Sequence, residues 1–130
     1  MSFIVLEISC EGVIEINLQE INRLVAEEVM RWEVKGYNGY GNPFVNKYSD
    51  LHESPFNPSG DIRDAWLVVE RFKNSGLEIS IYTDAEGSTC HIIDAPSSLM
   101  TIWEREADTV PLAICKAALK AVGVEVEVDG

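Results

Sequence analysis

Apolar residues recur at helical spacing in three segments of this chain, and each repeat predicts an amphipathic helix. The first helix runs to about Trp32, the second ends at Asn74-Ser75-Gly76, and the third ends before Gly123. Each begins at residues that cap free N–H groups: Asn17 with Glu20, Ser59 or Asp61, and Asp108 or Thr109. The pattern therefore predicts about three helices.

The second and third helices differ in how much of their surface is apolar. In the second helix, one face is marked by Ile62, Ala65, Trp66, Val69 and Phe72. In the third helix, only Lys116 and Lys120 mark a stripe that faces solvent. A helix this apolar has to be covered on more than one side.

Alternation of apolar and polar residues predicts strands between these two helices. Leu77, Ile79 and Ile81 alternate with polar residues, and Thr89–Ile93 and Leu99–Glu106 supply two further strands. The connections between the three strands are short. Short connections favour an antiparallel, three-stranded meander.

Both ends of the chain also carry β-rich runs. Phe3–Ile8 and Val13–Ile16 are separated by a short segment that ends in Gly12, which predicts an N-terminal hairpin. The tail at Val124–Val128 alternates as well. It is expected either to pair with the hairpin or to fray.

Periodicity disappears between Val34 and Ser59, where glycine and proline interrupt any regular element longer than a few residues. This stretch predicts a long loop. Long loops inside a compact domain are uncommon, and those that occur are often functional.

Composition limits the class of partner. The 130 residues include 22 acidic and 10 basic side chains, so the formal net charge is −12. A surface this acidic repels nucleic acid and anionic membranes, and the longest apolar run is far too short to span a bilayer. We therefore expect a cytoplasmic protein that binds neither nucleic acid nor membrane.

The cysteines indicate a reducing environment. Cys10, Cys90 and Cys115 are odd in number and share no CxxC spacing, which argues against a disulfide framework and against a zinc site. Cys115 lies in an apolar helical run, where a thiol packs as a small hydrophobic group. We expect all three to be reduced thiols.

Two longer runs resemble a known family. They are NPSGDIRDAWLVVE at Asn57–Glu70 and ADTVPLAICKAALKA at Ala107–Ala121. Together with VMRW at Val29–Trp32, they are similar to the phage ABA-sandwich domain, which is found in phages and prophages, mainly of Bacillus-like bacteria. The resemblance spans about 21–123. It implies an α+β fold, an α-β-α sandwich in which about three helices pack on an antiparallel sheet, and it supplies no catalytic residues.

The resemblance also indicates how the chain is organised. We expect a single domain over residues 1–130, in which 18–123 form the domain that is similar to the ABA sandwich. Residues 1–17 form an N-terminal hairpin extension, and residues 124–130 form an acidic tail. The extension and the tail depart from the family pattern.

The middle loop combines aromatic, amide and basic side chains. Five of the 11 aromatic residues lie between Tyr37 and Phe56, interleaved with Asn38, Asn42 and Asn46. An aromatic face stacks on a base for about 1–3 kcal/mol, while an asparagine amide reads a polar edge. The loop also carries a local excess of positive charge. The sequence thus predicts a site for a nucleotide-like ligand, formed by Arg31, Trp32, Lys35, Tyr37, Tyr40, Lys47 and Tyr48. The alternative is that the aromatic residues anchor the loop to the core.

Other groups of residues favour structural roles. Asp61 and Asp64 fall in the first turn of a helix, where carboxylates cap N–H groups. Cys90 and His91 are consecutive on a strand and point to opposite faces, so they cannot form a nucleophile–base pair. No histidine lies in an HxxxH or HExxH spacing. We therefore predict no catalytic residue, no metal site and no cofactor.

The preferred interpretation is a small non-enzymatic protein that sequesters a nucleotide-derived host immune signal, an anti-defence role that the phage resemblance makes attractive. One alternative is an acidic inhibitor or nucleic-acid mimic that binds a host protein. Its acidic residues are Glu104 and Glu106, or Glu125, Glu127 and Asp129. Another alternative is an uncharacterised accessory protein or a nucleotide-acting enzyme. Exposed strand edges at the hairpin or the tail also predict a homo-oligomer.

Overall fold

The computed structural model of this chain describes residues 13–48, 52–95 and 99–128. Several predicted features lie outside these residues: the strand at Phe3–Ile8, the turn that follows it, Cys10, the connection at 96–98, and Asp129. The strands are β1 Val13–Ile16, β2 Gly36–Tyr37, β3 Pro43–Val45, β4 Ser54–Pro55, β5 Glu78–Asp84, β6 Gly87–Asp94, β7 Thr101–Ala107 and β8 Glu125–Val128. The helices are α1 Leu18–Leu24, continued by a π-helical turn at Val25–Val29, α2 Ile62–Asn74 and α3 Val110–Ala121.

The meander predicted from alternation is confirmed, and the fold is α+β as expected. β5, β6 and β7 form an antiparallel sheet in the order of the chain. Gly87 follows the turn between β5 and β6 with φ of 146°. A Cβ there would lie 2.9 Å from the carbonyl oxygen of Ala107, so the position requires glycine.

The core lies on one face of this meander. Cys90 and Ile92 point inward from β6 and are buried. α3 packs against β6, β7, α2 and β8, and residues 113–119 are all buried. The prediction that this apolar helix is covered on more than one side is confirmed.

Lys116 does not face solvent, and the prediction that it marks an exposed stripe is wrong. The residue is 8% exposed, and its Nζ lies 3.8 Å from Glu127 Oε1 on β8. β8 therefore covers the side of α3 that the sequence pattern left open. Lys120 is only half-buried, with Nζ 3.8 Å from Glu125 Oε1.

β8 pairs with β1, so the tail does not fray. The two strands run parallel, with Val13 opposite Glu125 and Ile16 opposite Val128. Val126 is fully buried. The prediction that the tail pairs with the N-terminal β region is confirmed for Val13–Ile16.

The caps predicted from sequence form at all three helices. Asn17 accepts a hydrogen bond from the backbone N–H of Glu20, and Thr109 accepts one from Leu112. Asp61 accepts one from Arg63 and is the cap of α2. Hydrogen bonding to Arg63 lowers the pKa of the Asp61 carboxyl. These bonds satisfy N–H groups that have no partner inside a helix.

The buried face of α2 is rotated from the predicted one. Val68 is fully buried, whereas Ile62 and Trp66 are about half exposed, at 48% and 46%. Asp64 is also buried and is not a cap, which corrects the prediction for this residue. Its carboxylate instead accepts hydrogen bonds from Lys47 Nζ and from the backbone N–H of Asn57, each at 2.8 Å.

The segment predicted as a long loop contains a small antiparallel sheet, which corrects that prediction. β3 pairs with β2 on one side and with β4 on the other. The strands are only two or three residues long, too short to produce a readable period. Val45 and Phe56 from this segment are fully buried.

Candidate functional site

A cleft of about 340 Å³ lies between the end of the first helix and the end of α2. Its apolar lining includes Val29, Phe72 and Leu77, and Arg31 and Arg71 line it as well. We call it the Arg31–Arg71 cleft. Its size falls at the lower end of the range of small-molecule sites.

Arg31 is placed at the cleft by an unusual helix end. The π-helical turn closes with a hydrogen bond from Met30 N to Val25 O and one from Trp32 N to Ala26 O, both 2.9 Å. Arg31 lies inside this wide turn with φ of 60°, and among the described residues it is the one non-glycine residue with a positive φ. A left-handed conformation costs an L-residue about 1–2 kcal/mol. Strain of this kind is often found at functional sites.

Arg71 enters the cleft from the last turn of α2. Its Nε donates to the carbonyl oxygen of Val29 at 3.2 Å. That carbonyl belongs to the last turn of the first helix, where oxygens lack intrahelical partners. The bond holds the Arg71 side chain at the cleft through Nε and does not use the terminal guanidinium nitrogens.

Among the described residues, the two arginines differ from the other basic side chains in having no carboxylate partner. Eight of the ten lie within 4.0 Å of a carboxylate: Arg23, Lys35, Lys47, Arg63, Lys73, Arg105, Lys116 and Lys120. Arg31 and Arg71 have no such ion pair within the described part of the chain, although Glu28 lines the same cleft. Guanidinium groups bind carboxylate and phosphate through paired N–H donors. The cleft is therefore chemically suited to an anion with an apolar or planar body.

The predicted basic residues of the middle segment do not gather into one site. Lys47 Nζ bonds the buried carboxylate of Asp64, and its side chain is only 13% exposed. Lys35 pairs with Glu33 at 3.2 Å on the surface. Of the seven residues predicted to bind a ligand, Arg31 lines the Arg31–Arg71 cleft and the other six do not. A ligand-binding role for the other six stays a prediction.

The aromatic residues of the segment divide into two groups. Tyr37, Tyr40 and Tyr48 are exposed, at 51%, 83% and 65%. Trp32 instead packs edge-on against the buried ring of Phe56, with ring centroids 5.1 Å apart. Trp32 and Phe56 thus fit the alternative in which aromatic residues anchor the segment, while the three tyrosines remain accessible.

The asparagines of the segment hold its backbone. Asn38 Oδ1 accepts from the N–H groups of Tyr40 and Asn42, both at 2.9 Å. Asn22, which is buried, donates to the side-chain oxygens of Asn42 and Asn57. These bonds join α1 to the segment and occupy Asn38 and Asn42, two of the amides that the sequence suggested for ligand contacts.

Cys90 and His91 point to opposite faces of β6, as predicted. Cys90 is buried, and burial raises the pKa of its thiol to about 12. Burial also raises the pKa of the Cys115 thiol, which is expected of an inert core residue. His91 lies on the outer face of the meander, with Nε2 3.4 Å from Glu104 Oε2.

The acidic residues of the tail are paired with bases. Arg105 bonds both Glu125 and Glu127, and Lys116 and Lys120 approach the same two carboxylates. Three positive charges thus lie against these two glutamates. This arrangement disfavours the interpretation in which the tail imitates a row of phosphates.

The described residues contain no group of three or more His, Cys, Asp or Glu side chains that could hold a metal ion. In the same part of the chain, no helix has both the length and the apolarity that a bilayer span requires.

Comparison with known proteins gives a family and a structural neighbour. The family model for the phage ABA sandwich domain matches residues 23–119. A crystal structure of a phage protein from Bacillus cereus ATCC 14579 superposes with a TM-score of 0.58 at 22% identity, covering 80% of this chain and 90% of the other. An identity this low shows a shared fold alone. Among curated proteins, no significant match was found.

Proposed function

This chain belongs to the phage ABA sandwich domain family, and we propose that it is a non-enzymatic binding protein that sequesters a small anionic ligand in the Arg31–Arg71 cleft. The ligand class we propose is a nucleotide-derived signal of the host. Phosphate groups would contact the two guanidinium groups, and the base or ribose would lie against the apolar lining.

One observation carries this proposal. In a protein with a net charge of −12, eight of ten basic side chains lie beside a carboxylate, and the two with no ion pair among the described residues line the same cleft. A single arginine without an ion-pair partner is not unusual on an acidic protein, because the surrounding negative charge stabilises it. The presence of both unpaired arginines at a single cleft is better explained by a site for an anion.

The lining of the cleft supports binding rather than chemistry. Its hydroxyl group, Ser75 Oγ, donates to the carbonyl oxygen of Arg71 at 3.1 Å. Within the described part of the chain, no histidine or cysteine lines the cleft to activate that hydroxyl. These residues orient and hold a ligand, and we propose that they release it unchanged.

Titration calorimetry tests the proposal directly. The wild-type protein is titrated with cyclic dinucleotides and with ADP-ribose-type nucleotides, alongside Arg31→Gln and Arg71→Gln. A hydrogen bond to a charged group contributes about 1.5–3 kcal/mol, so each variant should bind at least about tenfold more weakly. Heating the complex and recovering an unmodified nucleotide would separate capture from turnover.

The chain provides a matched control for charge. Arg63 lies on the same helix as Arg71, is exposed, and pairs with Asp61 away from the cleft. Arg63→Gln removes the same charge and should leave affinity within about twofold of wild type, since exposed charges act weakly at a distance. Absence of heat with every nucleotide, or equal losses in all three variants, would count against the proposal.

A further inference from the structure

A second cleft borders one edge of the meander. β5 pairs with β6 on one side, and no strand in the described ranges pairs with its other side. Between this edge and α2 lies a groove of about 640 Å³, which we call the β5 groove. Its apolar lining consists of Trp66, Val69, Leu77, Ile79 and Ile81. An edge strand with unpaired N–H and C=O groups is a template for a further strand.

The two walls of the β5 groove match the side-chain spacing of an extended peptide. Ile79 and Ile81 lie two positions apart on β5, so their side chains point to the same face of the sheet. The side chains of an added strand would have the same two-residue spacing. Trp66, Val69 and Lys73 follow one another at i, i+3 and i+7 on the opposite wall. An added strand would place every second side chain between these walls.

Trp66 is the residue that most needs an explanation. It is 46% exposed, although its neighbours Ala65, Val68 and Val69 on the same helix are buried. A large aromatic side chain beside an open strand edge provides contact area for a partner at low conformational cost.

Charge indicates the chemistry of the partner. Glu78 lines the β5 groove, and Glu70 Oε2 lies 3.7 Å from Nζ of Lys73, another lining residue. These three side chains together carry a charge of about −1, the same sign as the whole protein. A peptide with a basic residue would be attracted, while a second copy of this chain would bring another −12. Antiparallel pairing of two β5 strands in full register would also place Glu78 opposite Asp84, which is unfavourable.

We propose that the β5 groove binds an extended segment of a partner protein as a fourth strand. The segment carries apolar side chains at alternate positions, which contact Trp66, Ile79 and Ile81, and a lysine or arginine beside Glu78. Backbone hydrogen bonds along β5 supply affinity, and the groove selects the side chains. This interaction is independent of the Arg31–Arg71 cleft.

Selection from a random nine-residue peptide library on the immobilised protein tests this inference. Enriched peptides should alternate Val, Ile or Phe with polar residues and should contain Lys or Arg. A fluorescein-labelled enriched peptide is then titrated and followed by anisotropy. Trp66→Ala should weaken binding at least about tenfold, because a central aromatic contact commonly contributes 2 kcal/mol or more.

Ile62→Ala is the matched control. Ile62 lies on the same helix with nearly the same exposure, 48%, but it does not line the groove. Its removal should change affinity by less than about twofold. Glu78→Lys is a second variant at an exposed position, which tests the charge without removing packing, and it should weaken binding of a basic peptide.

Three results would overturn the inference. The first is enrichment of the same peptides by wild type and by Trp66→Ala, or equal losses with Ile62→Ala. The second is light scattering that shows a wild-type dimer converted to a monomer by Trp66→Ala, since a second copy would then occupy the groove. The third is a variant without residues 1–12 that binds the peptide when the full chain does not, which would assign the groove to the protein's own N-terminal segment.

Discussion

Replacing Arg31 with glycine should stabilise the protein while it weakens ligand binding. Arg31 has φ of 60° at the end of the first helix, a position where glycine is usually found. We expect the arginine to be held there at a cost in stability, because its guanidinium group lines the Arg31–Arg71 cleft.

The size of the effect follows from two opposing terms. An L-residue in the left-handed region costs about 1–2 kcal/mol, which glycine removes. Glycine in turn loses more backbone entropy on folding, at a cost of about 0.5–1 kcal/mol. The balance is a gain of roughly 0.5–1 kcal/mol in the free energy of unfolding, or an increase of about 2–4 °C in Tm.

Urea unfolding followed by far-UV circular dichroism measures this difference. Arg31→Ala is the control that isolates the strain, because alanine removes the guanidinium group but keeps the Cβ. Arg31→Gly should be about 1 kcal/mol more stable than Arg31→Ala, and both should bind nucleotide more weakly than wild type. Equal stability of the two variants would refute the reasoning, since the turn would then hold no strain.

Three further predictions concern the scaffold. Lys47→Met should lower the free energy of unfolding by about 3–5 kcal/mol in urea unfolding, because it leaves the buried Asp64 carboxylate without its ion-pair partner. Adding Asp64→Leu should restore much of that loss, and simple addition of the two single effects would contradict this. In a Cys10→Ser background, a thiol reagent at neutral pH should label no cysteine until denaturant is added. The free energy of unfolding should be highest below the ordinary thiol pKa of 9.0 and should decrease as the pH rises towards 12, because Cys90 stays protonated in the folded protein but ionises in the unfolded chain. Gly87→Ala should lower the free energy of unfolding by more than about 1 kcal/mol, since both its φ and the nearby carbonyl oppose a Cβ; an unchanged Tm would argue against this close approach.

The helices were predictable because their determinants are local. Asn17, Asp61 and Thr109 each accept a hydrogen bond from an N–H group two or three residues further along the chain. The meander was predictable for a similar reason, since side-chain alternation and short connections are read within a few residues. The α+β fold therefore follows from the sequence.

Arrangements that depend on distant residues were not predictable. Lys116 looks exposed on its helix because the sequence pattern does not show that β8 covers it. Lys47 looks available to a ligand, although its partner Asp64 is 17 positions away. Strands as short as Ser54–Pro55 have no period to detect.

The sequence predicted only one of the two arginines of the candidate site, because the other is placed there by a contact between distant residues. Arg31 was among the predicted ligand residues because of the local excess of positive charge. Arg71 was missed, since a basic residue in the last turn of a helix is ordinarily read as favouring the helix dipole. Only its bond to Val29, on a helix 42 positions earlier, shows that it shares a cleft with Arg31.

The parallel pairing of β1 with β8 has a consequence for how the molecule assembles. It joins segments about 110 positions apart, and closing so long a loop costs about 3 kcal/mol more than closing a tight hairpin. Native contacts between the pair are thus expected late on the folding route, after the meander and α3 have ordered. By the same argument this seam should be the first to open under mild denaturant, and hydrogen exchange there should outpace exchange in β6.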